Sequence, residues 1–317
     1  MFAKITFWLE CSRWYALPMS IFSWLVIFTY AFIEGGNIQN GIIALIGICF
    51  AHLATNLFDD YIDFHKLKKQ IDKDDKIILP NTQQGKCEYL LNGSTTKKEV
   101  FKVTIIYCFI AFVIGLYLFL NSGNGILLYM GIGGIIVLTY PLLSNIRLSE
   151  IAVGIAYGPL IFGGTYYAMT GQIEIKPFIL AIPTMLFTIN LIYTDTFLDR
   201  EFDNLEGKKT ICTMFKTAYN ALEFQKWLLI IGYASMLLIN IMNILSKQIY
   251  ITYITIPYAI DLINSQKEYI KNKNELPRKA WYHCPFENWT QYNDKCKKFM
   301  FRMYQARNLM IYISILL

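Results

Sequence analysis

Apolar residues in this chain come in blocks of about 18 to 22, the length at which an α-helix crosses a hydrocarbon core of about 30 Å. Inside that core every backbone N–H and C=O must be paired within the segment, so such blocks fold as helices. Eight can be drawn, at 17–33, 41–62, 100–121, 125–143, 150–170, 177–198, 227–245 and 248–265. A last one runs from about Asn308 to Leu317 and is too short to cross alone. Composition agrees: with 55% hydrophobic and 16% charged residues over 317 positions, too little polar side chain is present to coat a soluble globule. The expectation is an all-α membrane protein, one domain over 1–317, built as a bundle of about nine transmembrane helices.

Met1 to Trp14 is polar and mixed, and the first apolar block has no small-residue cleavage site behind it, so the first helix is expected to stay. With a cytoplasmic N-terminus, the outer loops 34–40, 121–124, 170–176 and 246–247 hold only Lys176 and Lys247 among the basic residues. The positive-inside rule favours that orientation. The net charge of +6 then reads as a basic rim beside anionic lipid headgroups and implies no nucleic acid partner. The seven cysteines lie in membrane blocks or inner loops without C-x-x-C spacing, and reduced thiols are expected. His283, Cys284 and Cys296 lack a fourth ligand for zinc. Nothing in the sequence speaks to oligomeric state.

Three inner segments stand apart: 59–102, 195–226 and 265–307. The first two each begin with aspartates at the end of an apolar block and continue into a lysine-bearing, glycine-containing loop, which hints at a weak internal repeat of helical hairpins. The third carries Trp281, Tyr282, Phe286, Trp289 and Tyr292 among lysines. It fits an interfacial stretch on the inner leaflet or a substrate lid equally well.

The first cluster reads Asn56-Leu57-Phe58-Asp59-Asp60-Tyr61-Ile62-Asp63. On a helix Asn56, Asp60 and Asp63 share one stripe and Asp59 adjoins it. In the second, Asp195, Asp199 and Asp203 recur every four residues, followed by Gly207-Lys208-Lys209-Thr210. Stacked carboxylates at a membrane boundary repel unless something positive sits between them. One cluster alone is more simply a solvated helix end. Two on the same membrane face suit magnesium, which takes oxygen ligands and commonly bridges to substrate phosphates. Lys86, Lys208 and Lys209 lie in loops from which they could meet a diphosphate. The matching chemistry is departure of diphosphate from an allylic carbon, with magnesium stabilising the leaving charge and a dry cavity protecting the cation. Among many aromatics, Tyr61 and Tyr193 lie within the motifs, where their rings could line a cation's path. A cation-binding transporter is the alternative from another class. It predicts acids near helix centres beside broken segments, whereas these stand at helix ends.

The two clusters resemble the aspartate-rich motifs of the UbiA superfamily of intramembrane prenyltransferases. The N-L-x-x-D-Y-x-D form of Asn56 to Asp63 is similar to its 1,4-dihydroxy-2-naphthoate polyprenyltransferase branch. So are Leu148-Ser149-Glu150, Tyr157-Gly158-Pro159-Leu160, Gly164-Thr165-Tyr166-Tyr167 and Thr170-Gly171, together with Arg13 to Pro18 and the Asp199, Asp203, Gly207, Lys208, Thr210 run. The resemblance covers residues 13–225. It implies a cytoplasm-facing cavity in the bundle and transfer of a polyprenyl group from polyprenyl diphosphate to an aromatic acceptor, 1,4-dihydroxy-2-naphthoate in menaquinone biosynthesis. A bacterial inner-membrane location is implied as well. By this resemblance Asn56, Asp60 and Asp63, beside Asp59, hold one Mg2+, while Asp199 and Asp203 with Asp195 hold the other. Asn190 either lines the acceptor pocket or makes a bond between helices, and His52 either faces the cavity or is a hydrogen-bonded interior histidine.

The chain departs from the family pattern at three places. Asp59 stands where asparagine is usual, and Leu67 stands where many relatives end the first motif with aspartate, leaving Asp72, Asp74 or Asp75 as substitutes. The R-T-x-x-R-P run of the 4-hydroxybenzoate and haem O branches is absent. Lys86 is then the candidate for holding phosphate, and another aromatic acceptor is the alternative to the naphthoate.

Overall fold

A computed structural model of the chain describes residues 2–73, 87–143, 146–205, 207–272 and 300–317. Among these no strand occurs. The helices are α1 (Phe2–Cys11), α2 (Pro18–Ile33), α3 (Ile38–Lys73), α4 (Glu88–Leu91), α5 (Lys97–Ser122), α6 (Gly125–Leu143), α7 (Ser149–Ile155), α8 (Ile161–Thr170), α9 (Ile175–Leu198), α10 (Arg200–Leu205), α11 (Ala218–Ile241), α12 (Ile256–Asn272) and α13 (Met300–Leu316).

Local chemistry sets several ends. Thr96 and Glu99 cap α5 reciprocally: Thr96 Oγ1 accepts from Glu99 N and Glu99 Oε2 accepts from Thr96 N. Pro18 opens α2, where a missing N–H is harmless. Gly171, at φ 71°, closes α8 in the left-handed region. Between α7 and α8 the residues Ala156–Leu160 form a π-turn around Pro159, whose ring cannot donate to the ordinary ladder.

Seven described segments are long and apolar enough to span a membrane: Trp14–Ile33, Ile38–His65, Lys97–Ser122, Gly125–Leu143, Ser149–Thr170, Ile175–Leu198 and Ala218–Ile241. The outward side chains of α5 and α6, such as Phe109, Leu120, Ile135 and Leu138, are exposed as lipid would require. Against the expected count of about nine, the last two differ. The block at 248–265 is not one helix, because Lys247–Thr255 is 3-10 and the α-helix begins only at Ile256, beside Pro257. The final helix starts at Met300 instead of near Asn308 and packs on α9 and α2. The first acidic cluster does not end its helix, since α3 runs on to Lys73 without a glycine or proline to stop it.

The core is a bundle in which α9 is central, buried by α11, α13, α7 and the π-turn. Phe162, Phe187, Leu180, Met236 and Leu309 form its fully covered interior. A second cluster under the first acidic tip joins Leu57, Leu67, Cys87, Leu90 and Val100.

Candidate functional site

A cavity of about 920 Å³ runs through the bundle, and both acidic tips line it. The first tip supplies Asn56, Asp59, Asp60 and Asp63 from α3, and the second supplies Asp195 from α9, Asp199 from its C-cap, Asp203 from α10 and Lys208 from the following loop. Away from the tips the wall is largely apolar, with Phe112, Leu118, Ile126, Met130 and Val137 among its residues.

At the first tip Asp60 is buried and surrounded by donors. Tyr89 Oη donates to its Oδ2 at 2.8 Å, and the Arg13 guanidinium pairs with its Oδ1. Arg13 also stands 3.9 Å from Asp59 Oδ2. It occupies the left-handed region at φ 57°, a conformation in which the turn between α1 and α2 points its side chain back at α3. Burial disfavours the Arg13 charge, but Asp60 and Asp59 more than offset this, so the guanidinium is held yet more firmly protonated. Burial and the Asp60 charge likewise hold the Tyr89 phenol protonated well above its usual range. Asn56 Nδ2 donates to the Ser12 carbonyl at 2.9 Å, tying α3 to the end of α1.

The second tip is shaped by a glycine. At φ 69°, Gly207 reverses the chain after α10. Lys208 N therefore donates to the Asp203 carbonyl at 2.8 Å, and Lys208 Nζ lies 3.4 Å from Asp203 Oδ1. Asp203 is fully buried, and neither carboxylate oxygen accepts a hydrogen bond. Burial raises its pKa to about 6, with Lys208 pulling the other way. The loop beyond is held by Glu150, fully buried at the start of α7, whose Oε1 accepts from Ile211 N at 3.0 Å and whose Oε2 accepts from Ser149 Oγ at 2.9 Å.

Other residues singled out in the sequence are not brought to the cavity. Tyr61 packs between α3 and α5 against Phe101, with Lys97 Nζ 4.2 Å from its ring centre. Tyr193 is fully buried and donates to the Ala221 carbonyl at 2.8 Å. Asn190, outside the cavity lining, accepts from Gln225 Nε2 at 2.9 Å, a bond between α9 and α11. Lys209 is exposed, outside the lining. Leu67 is buried in the apolar cluster below the tip, so a carboxylate there would be desolvated. Lys86, Asp74, Asp75, the His283, Cys284 and Cys296 trio and the aromatics of 281–292 lie outside the described residues, as does the Asp72 side chain. The described cysteines, Cys11, Cys49, Cys87, Cys108 and Cys212, form no disulfide among the described residues. Sequence reasoning missed Arg13, Tyr89 and Glu150 as site residues, although Arg13 and Glu150 fall in segments that carry the family resemblance.

Whether magnesium fits can be tested on these donors. Among the described residues no three His, Cys, Asp or Glu side chains close a protein-only cage. Magnesium does not need one, since it retains waters and shares phosphate oxygens with one or two carboxylates. The donor sets at both tips are all oxygen, and the buried Asp203 carboxylate has Lys208 Nζ at 3.4 Å but no well-formed hydrogen bond. The residues fit the ion.

A multi-pass helical bundle enclosing a cavity with paired acidic tips is the architecture of an intramembrane transferase. The UbiA prenyltransferase family matches residues 16–287, and the chain belongs to that family and is a prenyltransferase. Two solved structures share the fold. One is of a digeranylgeranylglyceryl phosphate synthase (15% identity, 99% of this chain and 98% of that one, TM-score 0.59). The other is a UbiA homologue from Aeropyrum pernix K1 in its apo form (16% identity, 93% and 96%, TM-score 0.62). No curated protein sequence matches the chain. Members of the family generally use Mg2+ bound by Asp-rich motifs.

Proposed function

We propose that the protein transfers a polyprenyl group from polyprenyl diphosphate to an aromatic acceptor, with 1,4-dihydroxy-2-naphthoate as the acceptor and menaquinone biosynthesis as the setting. The observation that carries this reading is that α3 and α9 bring their acidic tips to one cavity with an apolar interior. The acceptor rests on the motif forms at Asn56–Asp63 and Tyr157–Thr170. The fold alone does not select it, since the same architecture serves the digeranylgeranylglyceryl phosphate synthase.

Asp60 and Asp63 with Asn56, beside Asp59, and Asp199 and Asp203 with Asp195 would hold Mg2+, which when bound stabilises the charge of the departing diphosphate. Lys208 and Arg13 line the same cavity as fixed cations and add to the field at the diphosphate oxygens. Phe112, Leu118 and Met130 give the prenyl tail an apolar wall and keep water from the allylic carbon as it gains positive charge. The protein resides in a bacterial inner membrane with the N-terminus and both tips cytoplasmic, as the placement of lysine and arginine favours.

The test is an assay of membranes carrying the protein with radiolabelled prenyl diphosphate, Mg2+ and a panel of aromatic acceptors. A lipid-soluble prenylated naphthoate product is expected. Product with a different ring alone would move the acceptor assignment, and no product with any ring would remove the reading.

A further inference from the structure

Beyond the acidic tips the cavity wall carries a polar island that the diphosphate chemistry leaves unused. Ser20 of α2, His52 of α3 and Tyr157 of the π-turn all line the cavity. Ser20 Oγ is 2.8 Å from His52 Nδ1, and Tyr157 Oη is 3.1 Å from each ring nitrogen, with the two rings edge to face. Three separate elements converge on one imidazole. The π-turn is what aims Tyr157 here, because an extra residue in the turn rotates its side chain relative to a regular helix, and such turns concentrate at functional sites. Gly158 keeps this turn close to α9, since a Cβ there would meet Met185 Cβ at 2.7 Å.

Position supplies the second half of the argument. His52, Asn56, Asp59 and Asp63 fall at i, i+4, i+7 and i+11, one face of α3. From His52 to Asp59 the helix rises about 10 Å. That span fits one aromatic ring whose hydroxyl contacts the island and whose reacting carbon lies about 3 to 3.5 Å from an allylic carbon held at the tips. A hydroxyl placed there finds what it needs. Ser20 and Tyr157 keep hydroxyl lone pairs for its proton, and through one of these hydroxyls the ring nitrogen that carries no hydrogen can take that proton up.

Resting on the function proposed above, we infer that Ser20, His52 and Tyr157 form the subsite for the phenolic hydroxyl of the acceptor, with His52 as its general base. The hydroxyl proton passes to the imidazole as the ring carbon forms a bond to the allylic carbon and the carbon–oxygen bond to diphosphate breaks, its electron pair leaving with diphosphate. The ring then gives the proton at that carbon to the released diphosphate, or loses carbon dioxide where it bears a carboxylate there, and His52 returns its proton to the oxygen. Ser20 and Tyr157 orient the imidazole and the bound hydroxyl.

The experiment measures kcat and KM separately for geranylgeranyl diphosphate and for 1,4-dihydroxy-2-naphthoate, with Mg2+, in wild type, His52→Gln, Tyr157→Phe and Ser20→Ala. His52→Gln is expected to lower kcat by about 10² to 10⁴. Tyr157→Phe and Ser20→Ala, which conserve shape, are expected to raise the acceptor KM at least about fivefold while the diphosphate KM stays within about twofold. Unchanged acceptor KM in both shape-conserving variants overturns the subsite, and so does an equal rise in both KM values, which is the mark of a structural role. Should His52→Gln not fold, those two variants decide. Wild type that prenylates no aromatic ring removes the reaction and this subsite with it, whereas active wild type with indifferent variants removes the subsite alone.

Discussion

The Arg13 guanidinium reaches Asp60 across 47 positions of sequence, pairing a cation from the turn between α1 and α2 with the buried carboxylate of the first acidic motif. The contact places a permanent positive charge where the prenyl diphosphate headgroup is proposed to bind, in the absence of the arginine-rich run that other branches of the family carry. Arg13→Gln is therefore expected to raise the KM for prenyl diphosphate about tenfold or more and leave the acceptor KM nearly unchanged. Arg13→Lys should recover part of the loss, since a lysine keeps the charge but not the planar fork. Steady-state kinetics with each substrate varied in turn checks this, and a wild-type diphosphate KM in Arg13→Gln would remove Arg13 from the site.

Asp63→Asn and Asp199→Asn each delete a full charge from a tip while preserving size. Either change is expected to reduce turnover at least about a thousandfold with the bundle still folded, because hard-cation sites depend on carboxylate charge. Chelation with EDTA should silence the wild type in the same way, and added Mg2+ should restore it. Measurable activity above about one tenth of wild type in either variant would argue against the ligand assignment.

The acidic tips were legible in the sequence because two aspartate clusters end apolar blocks on the same membrane face, where one alone is more simply a solvated helix end. Helix phase also carried more than was read from it. Relative to Asp195, the residues Tyr193 and Asn190 are two and five positions away, on the opposite side of α9, and Tyr61 is one position off the Asn56–Asp60 stripe; all three turn toward neighbouring helices. The C-terminal helix was hidden for another reason. Its Arg302, Gln305 and Asn308 are buried among neighbouring helices and its Arg307 lines the cavity, so hydropathy scores as polar a helix whose polar face is turned inward. Arg13 and Tyr89 were hidden because only tertiary packing brings them to Asp60.

Glu150 is expected to act through the loop it holds. Its fully buried carboxylate accepts the Ile211 N–H, one residue from Thr210 in the cavity lining. Glu150→Ala leaves that N–H unpaired, a loss of about 1 to 3 kcal/mol, and loosens the 207–213 turn that carries Lys208. Glu150→Gln keeps an acceptor oxygen and should retain most function. The expected pattern is a lower melting temperature and a raised diphosphate KM in Glu150→Ala, rescued in Glu150→Gln. Equal kinetics in the two variants would show that the carboxylate does not position the loop.

Chain-length selection offers a separate handle on the apolar end of the cavity. Gly133 lies on α6 in the cavity lining, and a Cβ added there meets only Leu160 Cδ2, at 3.5 Å, an ordinary contact. A leucine at this position gains about 1 kcal/mol in helix propensity, so folding should survive the change. Its side chain, close in size to one isoprene unit, has room to extend into the cavity. If the prenyl tail lies along α6, Gly133→Leu should leave geranyl diphosphate a good substrate while lowering kcat/KM for longer polyprenyl diphosphates by about tenfold, the loss growing with chain length until the tail passes the new branch. Competition assays with mixed chain lengths, read by chromatography of the products, resolve this directly. A uniform effect at every length would place the tail elsewhere, because only a steric stop inside the tail channel discriminates by length.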